Sequence, residues 1–406
     1  MTGAVALSTC RIARGNGLVR QPPRPPELRN SAYAGQFDWD TLFYDVYRVG
    51  RHVVFQGPPL LNLRREVEQS DWLASRLSGF LPRAKLIERN RSSEYWIRDD
   101  GETILLESPL GRYDIRVQPN LSDRFAGRRV LHTLSRNNDV AWIVDWVRFY
   151  VAVHGADAVL LYDNSSTDYS SDDLRAALGR AFPNLVIAVV DWPFRYGPQG
   201  GMAGAVNGME TPWDSDFCQT GSLQHARFRF LGKARSVLNV DVDELVLSDR
   251  GRSVFEAAEQ ARRGFVKFAG HWISATTPHG VAPGCGRHGD FWLRDARETG
   301  TCPPKWCLVP CRTSAARHCW SVHNLFGARR NRRISHEFSY RHMRGISKGW
   351  KEVRWDAGDY DPARFSPDMA LRGAFEKEGL ASGAAGATDA AAGFARRNPV
   401  GVTIHP

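Results

Sequence analysis

Three carboxylates interrupt an apolar run at 238–249, LNVDVDELVLSD, where Asp241, Asp243 and Glu244 stand among Leu238, Val240, Val242, Leu245, Val246 and Leu247. The apolar residues predict a buried strand, and a carboxylate is costly to bury unless a positive group meets it. Asp241 and Asp243 are two apart, so on an extended chain they share a face, while Glu244 points away from Asp243. The usual escape is for the strand to end there, with the pair facing a bound cation. Hard oxygen donors suit Mg²⁺ or Mn²⁺, ions that also bridge to phosphate oxygens. Pairing with Arg235 or Arg250 would satisfy the same charges with no chemistry at all. A lone D-x-D does not separate these readings, so the surrounding elements must.

Upstream, Val130–Leu134 predicts a short strand ending in SRNND, and Val140–His154 a heavily apolar helix with Asn138 as its cap and Gly155 as its stop. Ala158–Tyr162 predicts a second buried strand, ending in DNSSTD; Asp172–Phe182 predicts a helix and Leu185–Val190 a third strand. A helix over Leu223–Arg235 then leads into the acidic strand, and Phe265–Ala269 predicts a further one. Strands alternating with helices imply a mostly parallel, Rossmann-like sheet covered on both faces, the α/β class, in which ligands sit beyond the carboxyl ends of the strands. SRNND, DNSSTD and DVDE would then converge on one mouth. The rival for Asp163 and Ser166–Asp168 is a strand-end turn and helix cap.

The chain has 406 residues, 42% hydrophobic and 24% charged, with 13 Trp, enough for one large domain with appendages or for two domains. Residues 1–32, with RQPPRPPELRN, predict a flexible Pro- and Arg-rich leader. Residues 33–125 predict a mixed α+β region, with a helix over Val67–Leu77 and a hairpin in which Tyr95–Ile97 and Thr103–Leu106 flank Asp99–Asp100–Gly101. The main domain is expected over 126–375 and a low-complexity tail over 376–406. A net charge of +10 favours anionic partners, although the arginines are dispersed rather than blocked. No window approaches the ~18 apolar residues of a membrane span. No basic region precedes the first apolar run, so a cytoplasmic chain, with peripheral membrane attachment left open, is expected.

A family resemblance rests on these motifs. QTGSLQHARFRFLGKARSVLNVDVDEL is similar to the segment that runs through the D-x-D motif of glycosyltransferase family 92, a relative of family 2, with Gln219, Arg229, Asp241, Asp243, Glu244 and Leu245 at its positions. LSRNNDVAWIVDWVRFYVAVHGADAVLLYDNSSTD resembles the family's opening, on Asn138, Trp146, Tyr162, Asp163, Asn164, Ser166 and Asp168, with Asp139 where the family carries Glu. PPKWCLVP, WSVHNLF and FSYRHMRGISKGWKEV resemble later segments more loosely and place Lys305, His323 and His342.

The resemblance spans roughly Val130 to Trp355 and implies a GT-A-type fold and transfer of a sugar from a nucleotide-sugar donor, a UDP-sugar by preference, to a glycan or glycoconjugate acceptor. It implies Mn²⁺ or Mg²⁺ held by Asp241, Asp243 and His342, and a nucleotide pocket lined by Arg136, Asn138, Asp163, Asn164, Asp168, Asp241 and Lys305. For His342 and His323 the rival is an ordinary satisfied histidine, and for Lys305 a solvated lysine. Inverting enzymes of this kind need a carboxylate base, for which Asp290, Asp295 and Glu298 are candidates, with Asp290 and Asp295 ranked first because they flank the aromatic FWLR. No nucleic-acid partner is expected.

Two other classes compete. A phosphate-handling enzyme with an Asp nucleophile wants D-x-D-x-[TV] after its first strand, and here the pair follows the fourth and continues E-L. A basic zinc-binding protein that takes nucleic acid or another protein would draw on Cys285, Cys302, Cys307, Cys311 and Cys319 with their neighbouring histidines, though no CxxC pair occurs and buried thiols explain them as well. The Gly-rich Gly197–Gly208 lacks the P-loop lysine pattern and reads as a surface loop or a lid.

Overall fold

Strands that are apolar on both faces need cover on both sides, and the chain supplies it. The computed structural model describes residues 4–380 apart from 14, 16, 79, 81, 90, 199–203, 207, 208, 212, 213, 283 and 350–358. Its main sheet has eight strands: β1 Arg129–Ser135, β2 Ala158–Asp163, β3 Val186–Asp191, β4 Ser236–Asn239, β5 Glu244–Ser248, β6 Phe265–Ile273, β7 Thr301–Leu308 and β8 Phe338–Met343. The strand order is β3-β2-β1-β4-β7-β6-β8-β5. Helix α1, Val140–His154, lays Trp142, Trp146, Phe149 and Tyr150 on one face with Leu131, Val159 and Val240. On the other face Leu160, Tyr162 and Val237 pack with Cys218, Phe230 and Trp306. α2, Ser171–Ala181, opens on a reciprocal Ser170–Asp173 capping box. The cap of α1 is Asp139, whose carboxylate accepts from the Ala141 N–H, and not Asn138 as expected.

The class is mixed α/β, but the sheet is mixed rather than mostly parallel. β3, β2, β1 and β4 run parallel, as do β6 and β8, whereas β7 is antiparallel to both neighbours and β5 is antiparallel to β8. Parallel pairing needs a long crossover, usually a helix, and the segments between β6 and β7 and between β7 and β8 contain only short 3₁₀ turns and brief strands.

β4 and β5 are joined by residues 240–243 yet stand at the fourth and eighth places of the sheet. In a flat sheet these places lie about 19 Å apart, at about 4.8 Å per strand. The connection is instead a turn, in which the Glu244 N–H donates to the Asp241 carbonyl at 3.1 Å. The sheet therefore curls until β5 returns to the end of β4. The run 238–249 is two strands and a turn, not one strand.

The N-terminal region is α+β. Asp45–Val49, His52–Gly57, Ser92–Arg98 and Ala84–Arg89 form an antiparallel sheet in that order, and Thr103–Ser108 pairs with Gly111–Arg116. The expected hairpin across Asp99–Asp100–Gly101 is absent: Arg76 holds Asp99 at 2.8 Å, and the chain passes there from one sheet to another. The expected helix over Val67–Leu77 is broken at Ser70 into Arg64–Glu68 and Asp71–Leu77.

The leader is packed rather than flexible. Cys10–Arg11 pairs with Thr41–Phe43, and Arg20 is fully buried, donating to the carbonyls of Pro59 (2.9 Å), Asp38 (2.7 Å) and Thr41 (2.5 Å). Arg24 grips both oxygens of Asp214 at 2.8 Å. Proline excludes helix and central strand, but arginine donors supply bonds that the backbone does not. The Leu223–Arg235 helix is shorter than expected: α3, Phe217–His225, gives way to a wide turn, Ala226–Phe230. Most of Gly197–Gly208 and residues 381–406 of the tail lie outside the described residues. Among those described, no helix is long and apolar enough to cross a membrane.

Replacing Arg20 by Met leaves Asp38 uncompensated and three carbonyls without their donor. The expected loss is about 3 kcal/mol, read as a lowered urea midpoint. A loss under about 0.5 kcal/mol, as at an ordinary surface site, would show that the leader is not anchored there.

Candidate functional site

The site is built where β4 ends. Val240 and Val242 are buried in the α1 core, so alternation turns Asp241 and Asp243 to the other side, where both line a cleft. The turn then brings Glu244 back beneath Asp241, whose N–H donates to Glu244 Oε2 at 2.8 Å. Glu244 belongs to the cluster; the expectation that it points away holds for a strand and not for a turn.

The curled half of the sheet delivers the countercharges. Lys305 of β7 is buried, with Nζ 2.7 Å from Asp241 Oδ2 and 3.0 Å from Glu244 Oε2. Burial alone would lower the ammonium's pKa, but Asp241 and Glu244 outweigh it and hold the group protonated. Burial pushes the Glu244 carboxyl up, to about 7, against the pull of Lys305. His342 of β8 places Nε2 3.0 Å from Asp243 Oδ2, and Trp272 of β6 stacks on its ring at 4.1 Å and 16°. Burial opposes the imidazolium, yet Asp243 raises its pKa to about 10.

One atom each of Asp243, Glu244 and His342 lie within 4.8 Å of one another, a group able to hold a metal ion. This differs from the expected set of Asp241, Asp243 and His342: Glu244 stands in the place of Asp241, and Lys305 bonds both carboxylates. Two carboxylates and an imidazole fit a divalent cation. The nitrogen donor tilts the set away from Mg²⁺, which favours oxygen, toward Mn²⁺.

Of the other expected residues, Arg136, Asn138 and Asn164 line the same cleft, so the ends of β1, β2 and β4 meet there. Asn164 donates to the carbonyls of Trp192 and Phe194 at 2.8 Å each, while its buried Oδ1 has no partner among the described residues. Asp163 does not line the cleft. It accepts from Ser166 Oγ at 2.5 Å and from the Ser166 N–H at 3.2 Å, which makes it the brace of its own turn, and burial pushes its carboxyl up. Asp168 is half exposed and sits 3.7 Å from Lys348, which lines the cleft. Tyr196, Ser347 and Lys348 were missed; only the GISKG stretch pointed near the last two, and its residue types carry no signature.

Asp290 and Asp295 lie outside the cleft. Asp290 accepts from the Arg287 N–H at 2.6 Å, and Asp295 is paired with Arg364 at 2.6 Å. Of the Cys/His stretch, Cys285 and Cys311 are exposed and Cys302, Cys307 and Cys319 buried, and the metal-capable group among the described residues contains no cysteine. His323 sits with Nδ1 3.1 Å from the Pro304 carbonyl.

The pKa of His342 in the fold lies above its ordinary 6.5, so the ion pair's stabilisation is fully present below pH 6.5 and is lost as pH rises through about 10. Asp243→Asn should flatten the fall in Tm across that window. An equally steep fall in the variant would contradict the pairing.

The chain matches no protein-family model, and no curated protein matches it.

Proposed function

We propose that the protein is a metal-dependent glycosyltransferase that moves a sugar from a nucleotide-sugar donor to a hydroxyl of a glycan or glycoconjugate acceptor, on a GT-A-type sheet. The observation that supports this best is the juxtaposition at one sheet mouth of Asp243, Glu244 and His342 with Arg136, Asn164 and Lys348. Such a cleft offers a cation and anion-binding side chains together, which is what a nucleoside diphosphate leaving group requires. Asp243, Glu244 and His342 would hold Mn²⁺. When bound, the ion supplies charge neutralisation to the departing diphosphate.

The chain's own residues divide the remaining work. Lys305 fixes the orientation of Asp241 and Glu244 and cancels part of their charge. Asp241, with 39% of its side chain exposed, is left to accept from ribose hydroxyls. Arg136 and Lys348 supply positive charge along the cleft wall, and Asn164 Oδ1 presents an acceptor to the donor's base or sugar.

Incubation with a panel of UDP-sugars and Mn²⁺ should release UDP, and excess chelator should abolish it. Asp243→Ala should lower the rate at least 10²-fold, beyond the range of residues that merely orient a ligand. Asp295→Asn should stay within about twofold, as a surface change far from the chemistry does. Full turnover in chelator, or in Asp243→Ala, would sink the reading.

A further inference from the structure

A second cavity, of about 200 Å³, lies between the 277–292 segment and the helix Met369–Lys377. Its lining includes the apolar Val281, Trp292 and Phe375 and the polar Thr277, His279, Asp290, Arg372 and Glu376. Arg372 lies over the Trp292 ring at 4.8 Å and pairs with Glu376 at 2.9 Å, so the aromatic and the charges are held as one unit.

Two observations point to a ligand. The Thr277 side chain is buried, the residue being 7% exposed, and its Oγ1 has no hydrogen-bond partner among the described residues. A buried hydroxyl left unsatisfied is costly, and here the residue that carries it lines a cavity. The lining also mixes an aromatic ring with hydroxyl, carboxylate and guanidinium groups. An apolar ligand would waste the second set and an ion the first. Two carboxylates against one guanidinium and one histidine leave no excess of positive charge for a phosphate or an acidic sugar. A neutral sugar ring matches both sets, with its C–H face against the apolar side chains and its hydroxyls bonded to the polar ones.

The cavity's place in the fold ties it to the cleft. Gly289 and Asp290 of its lining follow directly on His288, whose Nε2 lies 2.9 Å from the carbonyl of Val242, the residue between Asp241 and Asp243.

We infer that this cavity binds a neutral sugar unit of the acceptor glycan. The saccharide site stands on the cavity alone, whereas its assignment to the acceptor rests on the glycosyl-transfer reading above. Asp290 thus contributes as a binding wall of the acceptor side and not as the base.

Saturation-transfer NMR on the full chain tests it, with methyl β-glucoside, methyl β-galactoside, methyl α-mannoside and chitobiose as probes and glucuronate as the acidic control. The expected result is transfer to at least one neutral probe, stronger than to glucuronate and unchanged in Asp243→Ala. Thr277→Val removes only the unsatisfied hydroxyl. It should weaken that binding about fivefold, the worth of one neutral hydrogen bond, with no loss of Tm. Trp292→Ala should weaken it further.

No binding of any neutral probe, preference for glucuronate, or binding indifferent to Thr277→Val would overturn the site. UDP release with no sugar bound would defeat the cavity alone. Sugar bound as expected with no UDP release would defeat the acceptor assignment and leave a saccharide site.

Discussion

Lys305 sits at the centre of the fold's electrostatics. A buried ammonium between Asp241 and Glu244 is what lets an acidic turn exist at the end of a core strand. Without it, the buried Glu244 carboxyl would face the Asp241 carboxylate with no countercharge and would stay protonated. Buried ion clusters of this kind add little net stability, since well-packed apolar residues would often serve as well or better. Stability alone therefore does not account for this cluster, and the perturbed Glu244 and His342 lie in the same place. The curl of the sheet serves the same cluster: Lys305 comes from β7, the neighbour of β4, whereas His342 of β8 reaches the turn because β5, its partner, returns to the end of β4.

The first half of this architecture was legible in the sequence. β2 and β3 announce themselves through apolar runs, and β1, α1 and α2 through apolar patterning and clear stop signals such as Gly155, which takes up the left-handed conformation at φ 67°. Period and burial coincide there. The second half was not legible, because strands such as Thr301–Leu308 mix Pro, Lys, Trp and Cys, and their apolar pattern depends on partners far away in sequence. The acidic turn shows the limit best. Alternation placed Asp241 and Asp243 on one face correctly, yet it assigned Glu244 to the wrong side, since a periodicity of two fails the moment the strand ends.

Several motif residues serve the assembly rather than the cleft. Arg229, in the segment before the acidic turn, pairs with buried Asp45 at 2.7 Å, and His225 reaches the same carboxylate at 2.9 Å. Tyr162, from the centre of β2, closes the network on His225 Nδ1 at 2.9 Å. The N-terminal region is thereby clamped to the face of the sheet opposite α1. The packed leader extends that clamp, with Arg24 and Tyr33 both on Asp214 just ahead of α3, the helix that sends Gln219 to the cleft. A motif read from residue types alone cannot tell a clamp from a ligand.

If Asp243, Glu244 and His342 hold the cation as proposed, Asp241 stands outside its shell and one imidazole nitrogen stands within it. Electron spin-echo measurements on the Mn²⁺-loaded protein test this directly, because they register nitrogen bonded to the ion. The expected result is modulation from one imidazole nitrogen that disappears in His342→Gln and persists in Asp241→Asn. A bound ion with no nitrogen modulation, or one whose binding is lost in Asp241→Asn and kept in His342→Gln, would contradict it.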